Sequence, residues 1–365
     1  MNKTNQKGFS MMAIIGIVIV VIIVGVLVFS KLNNKGEEVV VNNQEGKDVL
    51  IGFSITSNQE ERWQKDRALF LKKAEEMGAT VDLQVAQNNA AKQVTQIEAM
   101  IVSGVNVLVV VPYDAESLKG VIEKAHTAGI KVISYDRLIR NSNVDLYVSF
   151  DNEKVGEYEA QYVIDALKSK MDKGEKMKIA YIGGAPTDNN SYQLKAGSWK
   201  VLDPLIKAGK VEIVSEGFTP DWNPDKAYAT LKAYLAKSGG KIDGVIAGND
   251  GTAFGSISAL KEINLDGKVP VSGQDAELAA LQRIVAGTQT LTVYKPISKL
   301  ASSAVELAVK LAKGVVVDTA GIVVNDGKYD IPSVLLAPIA VTKDNIDDTI
   351  IKDGYHTRED IYKSL

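Results

Sequence analysis

The sequence predicts an α/β protein: two similar, doubly wound parallel-sheet lobes preceded by one transmembrane helix. Three observations carry this. From residue 49 onward, apolar strand-like runs alternate with helical periods. The alternation restarts near Phe150. A run without charge or proline, Met11–Phe29, lies ahead of both.

At a helical rise of about 1.5 Å per residue, Met11–Phe29 spans roughly 28 Å, close to the hydrocarbon thickness of a bilayer. It is longer than the apolar core of a secretory signal, and Ser30–Asn34 offers no small-residue cleavage site. No cysteine is present to carry a lipid. Lys7-Gly8-Phe9 looks like the junction cut in pilin precursors, but Ala13 stands where that pattern has glutamate. A retained helix is therefore expected, with cleavage as the alternative. Lys3 and Lys7 precede it, while Lys31 and Lys35 behind it are offset by Glu37 and Glu38. That balance puts residues 1–10 in the cytoplasm and the C-terminal bulk outside the cell membrane. Residues 30–48 are polar and read as a tether, with a reach of roughly 24 Å if flexible.

The soluble part follows in order. Residues 49–54, 79–85, 105–111 and 130–135 form continuous apolar strands. Between them, 60–77, 91–103 and 115–128 have helical patterns. Gly78, Gly104 and Gly129 each follow a helix, where the left-handed C-cap favours glycine. In the second unit, helices at 153–170, 192–206, 224–236 and 251–263 alternate with strands at 177–183, 211–217, 243–248 and 268–273. Strands apolar along their whole length imply a parallel sheet covered on both faces.

Composition excludes several function classes. A formal net charge of −3 does not suit nucleic acid, where a basic field supplies most of the affinity. With two histidines, His126 and His356, and no cysteine, no metal-ligand spacing exists. The Gly183-Gly184 and Gly248/Gly251/Gly255 sets fit neither nucleotide fingerprint. No nucleophile elbow or triad pattern is present. Neither an enzyme, nor a cofactor, nor a metal is expected.

What remains is a set of polar loops at strand carboxyl ends, where open parallel sheets bind ligands. Asn58, Glu60, Arg62 and Trp63 follow the first strand, and Pro112-Tyr113-Asp114 the third. Asp136-Arg137 follows the fourth, and Thr187–Asn190 the first strand of the second unit. Asn249-Asp250 and Gln274-Asp275 come later. Carboxylates accept from neighbouring hydroxyls, amides both donate and accept, and Arg donates in a planar fork. Trp covers the apolar face of a sugar ring. Together they suit a small polyhydroxylated ligand. Any single Asp or Asn here also reads as a helix N-cap.

At these loops the sequence resembles the periplasmic D-xylose-binding proteins of the ribose/galactose-type sugar-binding family. The strings that carry the resemblance are Glu61–Arg67, Tyr135-Asp136-Arg137, Ser149–Gly156, Asp188-Asn189-Asn190, Ser272–Asp275 and Tyr294-Lys295-Pro296. It extends over about residues 49–360. It departs just before the first string, where Thr56-Ser57-Asn58-Gln59 is less charged than the family's usual stretch.

The resemblance implies a type I periplasmic-binding-protein fold whose two lobes, joined by three crossings, close on a sugar. The crossings are implied near Phe150, Tyr294-Lys295 and Ile331. The N-terminal lobe is then 49–149 with 295–330, and the C-terminal lobe 150–294 with 331–365. The implied contacts to D-xylose or a similar pentose are Arg62, Trp63, Lys65, Asp136, Arg137, Asn189, Asn190, Trp222, Asn249, Asp275 and Lys295. Trp63 and Trp222 would cover the ring faces. Some anchored relatives serve as sensors beside a membrane histidine kinase, and the helix Met11–Phe29 gives this chain a similar layout. A two-component sugar sensor is therefore the expected role, with the receptor of an ABC-type D-xylose importer and its permease as the alternative.

Overall fold

The computed structural model describes residues 48–363. The expected cytoplasmic stretch 1–10, spanning helix 11–29 and all but the last residue of the tether 30–48 lie outside the described residues. Among the described residues, no helix is long and apolar enough to cross a membrane.

The chain opens with β1 (Leu50–Ile55), α1 (Glu61–Glu76), β2 (Thr80–Val85), α2 (Ala90–Ser103) and β3 (Val107–Val110), then α3 (Lys119–Thr127), β4 (Lys131–Tyr135) and β5 (Leu146–Phe150). A second run has α4 (Asn152–Asp172), β6 (Met177–Gly183), α5 (Asn189–Lys207) and β7 (Val211–Phe218). It continues through α6 (Pro224–Ser238), β8 (Gly244–Ala247), α7 (Asp250–Lys261), α8 (Leu278–Ala286) and β9 (Thr292–Tyr294). The last stretch holds α9 (Ile297–Ala312), β10 (Val323–Asn325), β11 (Asp330–Leu336), β12 (Ile339–Val341) and α10 (Arg358–Tyr362).

The first sheet runs β10-β11-β5-β4-β3-β1-β2 and is parallel except for β10. Its central strands explain the continuous apolar runs, because both faces are covered. α1 and α9 pack on one face, and α2 and α3 on the other. Val107–Val110 is wholly buried. The second lobe has β7-β6-β8 in parallel and a separate antiparallel pair, β12-β9. A strand was expected at 268–273, but only the isolated bridge Val245–Val271 forms. Val245 N donates to Pro270 O at 2.9 Å, while Pro270 has no N–H with which to extend the ladder.

The chain leaves the first sheet after Phe150 and returns through Lys295 and Pro296 into α9, which packs on α1. It leaves again only beyond Leu336, which pairs with Phe150. The third crossing expected near Ile331 is thus displaced: Ile331 lies in β11, fully buried in the first lobe. The expected helix at 115–128 starts later, at Lys119, because the Asp114 side chain accepts Glu116 N and Ser117 N and holds a turn there. The strands from β9 onward, and α8 to α10, carry no clear alternation in the sequence.

In the second lobe α4 and α5 nearly touch. A Cβ on Gly156 would lie 1.9 Å from Leu194 O, and one on Gly197 1.9 Å from Glu153 O. That close pairing fixes the start of α5, and with it one wall of the cleft between the lobes.

Candidate functional site

The first wall of the cleft is built by α1. Its buried stripe is Arg62, Trp63, Asp66, Phe70 and Ala74, the spacing of one helix face. Phe70 and Ala74 anchor the helix in the core, so Arg62 and Asp66 are carried into the cleft on the same stripe. Arg62 Nη2 lies 2.8 Å from Asp136 Oδ2 and 3.5 Å from Asp66 Oδ2, while Nη1 lies 3.1 Å from Asp275 Oδ1. Lys295 Nζ reaches the same Asp275 oxygen at 3.1 Å.

These contacts divide the carboxylates. Burial would raise Asp136, but Arg62, Lys295 and Arg137 outweigh it and hold it at about 2. Asp66 is pushed up to about 7 by burial, which Arg62 and the Tyr135 hydroxyl only partly oppose. Asp136 is thus the charged acceptor of the cleft, and Asp66 a raised carboxyl that accepts from the Tyr135 hydroxyl behind it.

Backbone geometry singles out the same residues. Asp136 has φ 59° and Asp275 φ 90°, in the left-handed region that side chains avoid. The Asp136 conformation is over-determined by its neighbours. Its carbonyl accepts from Ser149 Oγ at 2.6 Å, Tyr147 OH at 3.1 Å and Asn190 Nδ2 at 3.2 Å. Such strain clusters at ligand clamps.

The second wall starts at the N-terminus of α5. Asp188 caps it, accepting Asn190 N at 2.9 Å. Its other oxygen takes Arg137 Nε at 2.8 Å and Trp222 Nε1 at 3.2 Å. Asn190 Nδ2 also donates to Asp136 Oδ1 at 3.3 Å, while its own Oδ1 is buried without a partner. Gln274 has the same arrangement: Nε2 donates to Gly248 O at 2.8 Å and Oε1 is buried without a partner. Buried amide oxygens left free cost stability, so they point to a donor that comes from outside the chain. Asn249 caps α7 by accepting Thr252 N at 2.8 Å, and it also faces the cleft.

One cavity gathers Arg62, Trp63, Asp136, Arg137, Asn190, Trp222, Asn249, Asp275 and Lys295. Two expected residues are not brought there. Lys65 sits off the buried stripe of α1 and turns to the C-terminal segment, donating to Tyr355 O at 2.9 Å and pairing with Glu61 at 3.0 Å. Asn189 lies one helical step from Asn190 and lines a separate surface depression with Asp114, Arg140 and Tyr192. Trp63 is present but not free: Arg62 Cζ stacks 4.2 Å from its ring centroid, and its Nε1 donates to Glu60. Trp222 is backed by Gly184, where a Cβ would come within 2.0 Å of the indole.

The sequence-derived set missed Glu60, Asp188 and Gln274, which line the same cavity. Asp188 and Gln274 each stand beside a chosen residue within the quoted strings, and Glu60 lies in the first polar loop two residues before Arg62, so the signal was present. The free volume of the cavity is about 20 Å³, room for about one water, because the charged side chains bond each other across it.

Comparison with known proteins places this geometry. The family described as "Periplasmic binding protein domain" matches residues 51–315. The D-xylose-binding periplasmic protein of Haemophilus influenzae is 48% identical over 316 residues, covering 87% of this chain and 93% of that protein. The Escherichia coli protein of the same name is 46% identical over 315 residues, covering 86% and 93%. Among solved structures, a carbohydrate transporter solute binding protein from Chloroflexus aurantiacus, in complex with D-glucose, superposes with a TM-score of 0.79 at 30% identity, covering 86% of this chain and 98% of the other. An ABC transporter solute binding protein from Clostridium phytofermentans, with bound β-D-glucose, has a TM-score of 0.78 at 30% identity, covering 86% and 99%.

Proposed function

This chain belongs to the periplasmic binding protein family and has its type I α/β fold, and from that premise we propose that it is an extracytoplasmic receptor that closes on D-xylose or a similar pentose and presents the sugar to an ABC-type importer. The observation that carries the reading is the buried cross-lobe cluster of Arg62, Asp136, Asp275 and Lys295, bordered by the free amide oxygens of Asn190 and Gln274. Relatives named for D-xylose binding support the ligand, and the Clostridium structure, named as an ABC transporter component, supports the role. All of these are named as binding proteins, so the reading is of a receptor, not an enzyme.

In this proposal Asp136 and Asp275 accept from neighbouring ring hydroxyls, and Arg62, Arg137 and Lys295 donate to ring and hydroxyl oxygens. Asn190, Asn249 and Gln274 complete the shell, each able to donate and accept. Trp222 covers the apolar C–H face, held there by the close backbone of Gly184. Trp63 acts mainly behind Arg62. Sugar favours the closed form only through this differential set of contacts. Calorimetry on the full-length protein is the test, with D-xylose expected to bind. Tight binding of another pentose or of glucose instead would keep the receptor and move its specificity. No binding of any of these sugars would sink the reading.

A second reading rests on the run Met11–Phe29 in a chain without cysteine. As a retained anchor it would hold the receptor beside a membrane histidine kinase. This sensor role was the first expectation. It takes second place because the relatives named by role are transport components. Co-purification from membranes separates the two: permease and ATPase subunits for import, a kinase for sensing.

A further inference from the structure

Beside the inner cavity lies a larger one of about 440 Å³, within the range of small-molecule sites. The two share Glu60, Trp222 and Asn249 as walls. Both lobes build it: residues 59–61 come from the first, and the stretches at 221–224, 249–254 and 277–283 from the second. We propose that this chamber is an outer subsite for a second sugar unit, so that the ligand class extends from a free pentose to a disaccharide of two linked pentopyranose rings. The inference rests on the receptor reading above and deepens it.

Phe254 is the first support. It lies on the chamber wall in α7 with 52% of its surface exposed, although the neighbouring α7 face is buried. The Arg283 guanidinium stands 5.6 Å from its ring centroid. An aromatic ring held open beside a polar group is the pairing that receives the C–H face and the hydroxyls of a sugar. The second support is the mixture of donors and acceptors. Glu61 and Asp221 offer carboxylate oxygens, while Arg283 and Asn249 donate. Glu277 lines the same wall, its carboxyl pushed up by burial and by the nearby Asp250. The third support is continuity. Asn249 and Trp222 line both chambers, so the two cavities adjoin and a second ring would sit next to the inner position.

The test uses the full-length protein, D-xylose and the β-1,4-linked disaccharide xylobiose. Calorimetry should show that both bind. Phe254→Ala should weaken xylobiose about three- to tenfold and leave D-xylose unchanged, while Phe254→Tyr keeps both. Binding of D-xylose without xylobiose would overturn the outer subsite and leave the receptor reading standing. So would an equal response of the two sugars to Phe254→Ala. Failure of both sugars to bind the unaltered protein would overturn the outer subsite, and if no other pentose or glucose bound either, the receptor reading with it.

Discussion

The two lobes meet the cleft with opposite chemistry. The first brings the guanidinium groups of Arg62 and Arg137. The second brings carboxylates that they bond across the gap, Asp275 and Asp188. Lighter bonds join the rims: Ala115 N donates to Thr187 O at 2.9 Å, and Tyr113 OH to Asp221 at 2.9 Å. The gap between the lobes is thus bridged by ion pairs whose halves lie on different lobes. The first lobe carries carboxylates too, Glu60, Asp66 and Asp136, of which Asp136 is held charged by Arg62 and reaches Asn190 opposite. The lobes also differ in frame. The first has a seven-stranded sheet, whereas the second has three strands and a detached pair joined to the rest by single bridges. The better-paired lobe holds the densest charge, and the looser one supplies amides and turns.

The sharpest test of this asymmetry is Asp136→Ala. It removes the charged acceptor and leaves Arg62 short of a buried partner, so D-xylose affinity should fall by about 100-fold or more. Asp275→Ala leaves Asp136 in place for Arg62 and should weaken binding less, by about tenfold. Calorimetry on both variants decides the matter. Equal losses would dissolve the distinction between the lobes, and an unchanged affinity for Asp136→Ala would remove it from the site.

A smaller effect concerns pH. Asp66 in the first lobe is held at about 7 in the folded protein against an ordinary value of 3.8. Between these values the native state binds more protons than the unfolded chain, so this group's contribution to stability falls as pH rises from about 4 to about 7. Asp136, held at about 2, acts oppositely: its contribution is present above 3.8 and is lost as pH falls toward 2. In the second lobe, burial raises Asp250, and burial together with Asp250 raises Glu277, giving a slope of the same sign as Asp66. The melting temperature should therefore decline from pH 5 to pH 8, and Asp66→Asn should make the decline shallower without removing it. An unaltered slope in Asp66→Asn would assign the pH response to the other raised carboxyls, Glu60 in the first lobe and the Asp250–Glu277 pair in the second.

The first lobe was also the more legible in sequence. Its central strands are buried on both faces, so they read as unbroken apolar runs, and its loops carry the arginines and tryptophan that stand out by type. The second lobe's later elements were hidden because β9 and β12 are three residues each, too short to show a period. Pro270 turned an apparent strand into a single bridge. For the same reason of locality, the position of Ile331 could not be read: β11 belongs to the first lobe through pairing with β5, a contact between distant parts of the chain. Within the site, residue type located the cavity well, but the helical phase decided membership. One step separates Asn190 from Asn189, and a change of face separates Lys65 from Arg62.

That phase argument yields the mildest prediction. Lys65 bonds Tyr355 O, pairs with Glu61 and stands 4.0 Å from the Tyr355 ring centroid, with its side chain 30% exposed. These contacts tie α1 of the first lobe to the C-terminal segment that packs on the second. A partly exposed pair of this kind is worth about 1 kcal/mol or less. Lys65→Ala should change D-xylose affinity by less than about threefold and lower the melting temperature by about 2 °C. Asn189→Ala should likewise leave affinity within about threefold, whereas Asn190→Ala, which takes away Asp136's partner across the gap, should cost about tenfold. The three variants measured side by side test whether helical phase, rather than membership of a shared sequence string, selects the cleft residues. A loss in Lys65→Ala or Asn189→Ala as large as that in Asn190→Ala would reject that rule and return both residues to the site.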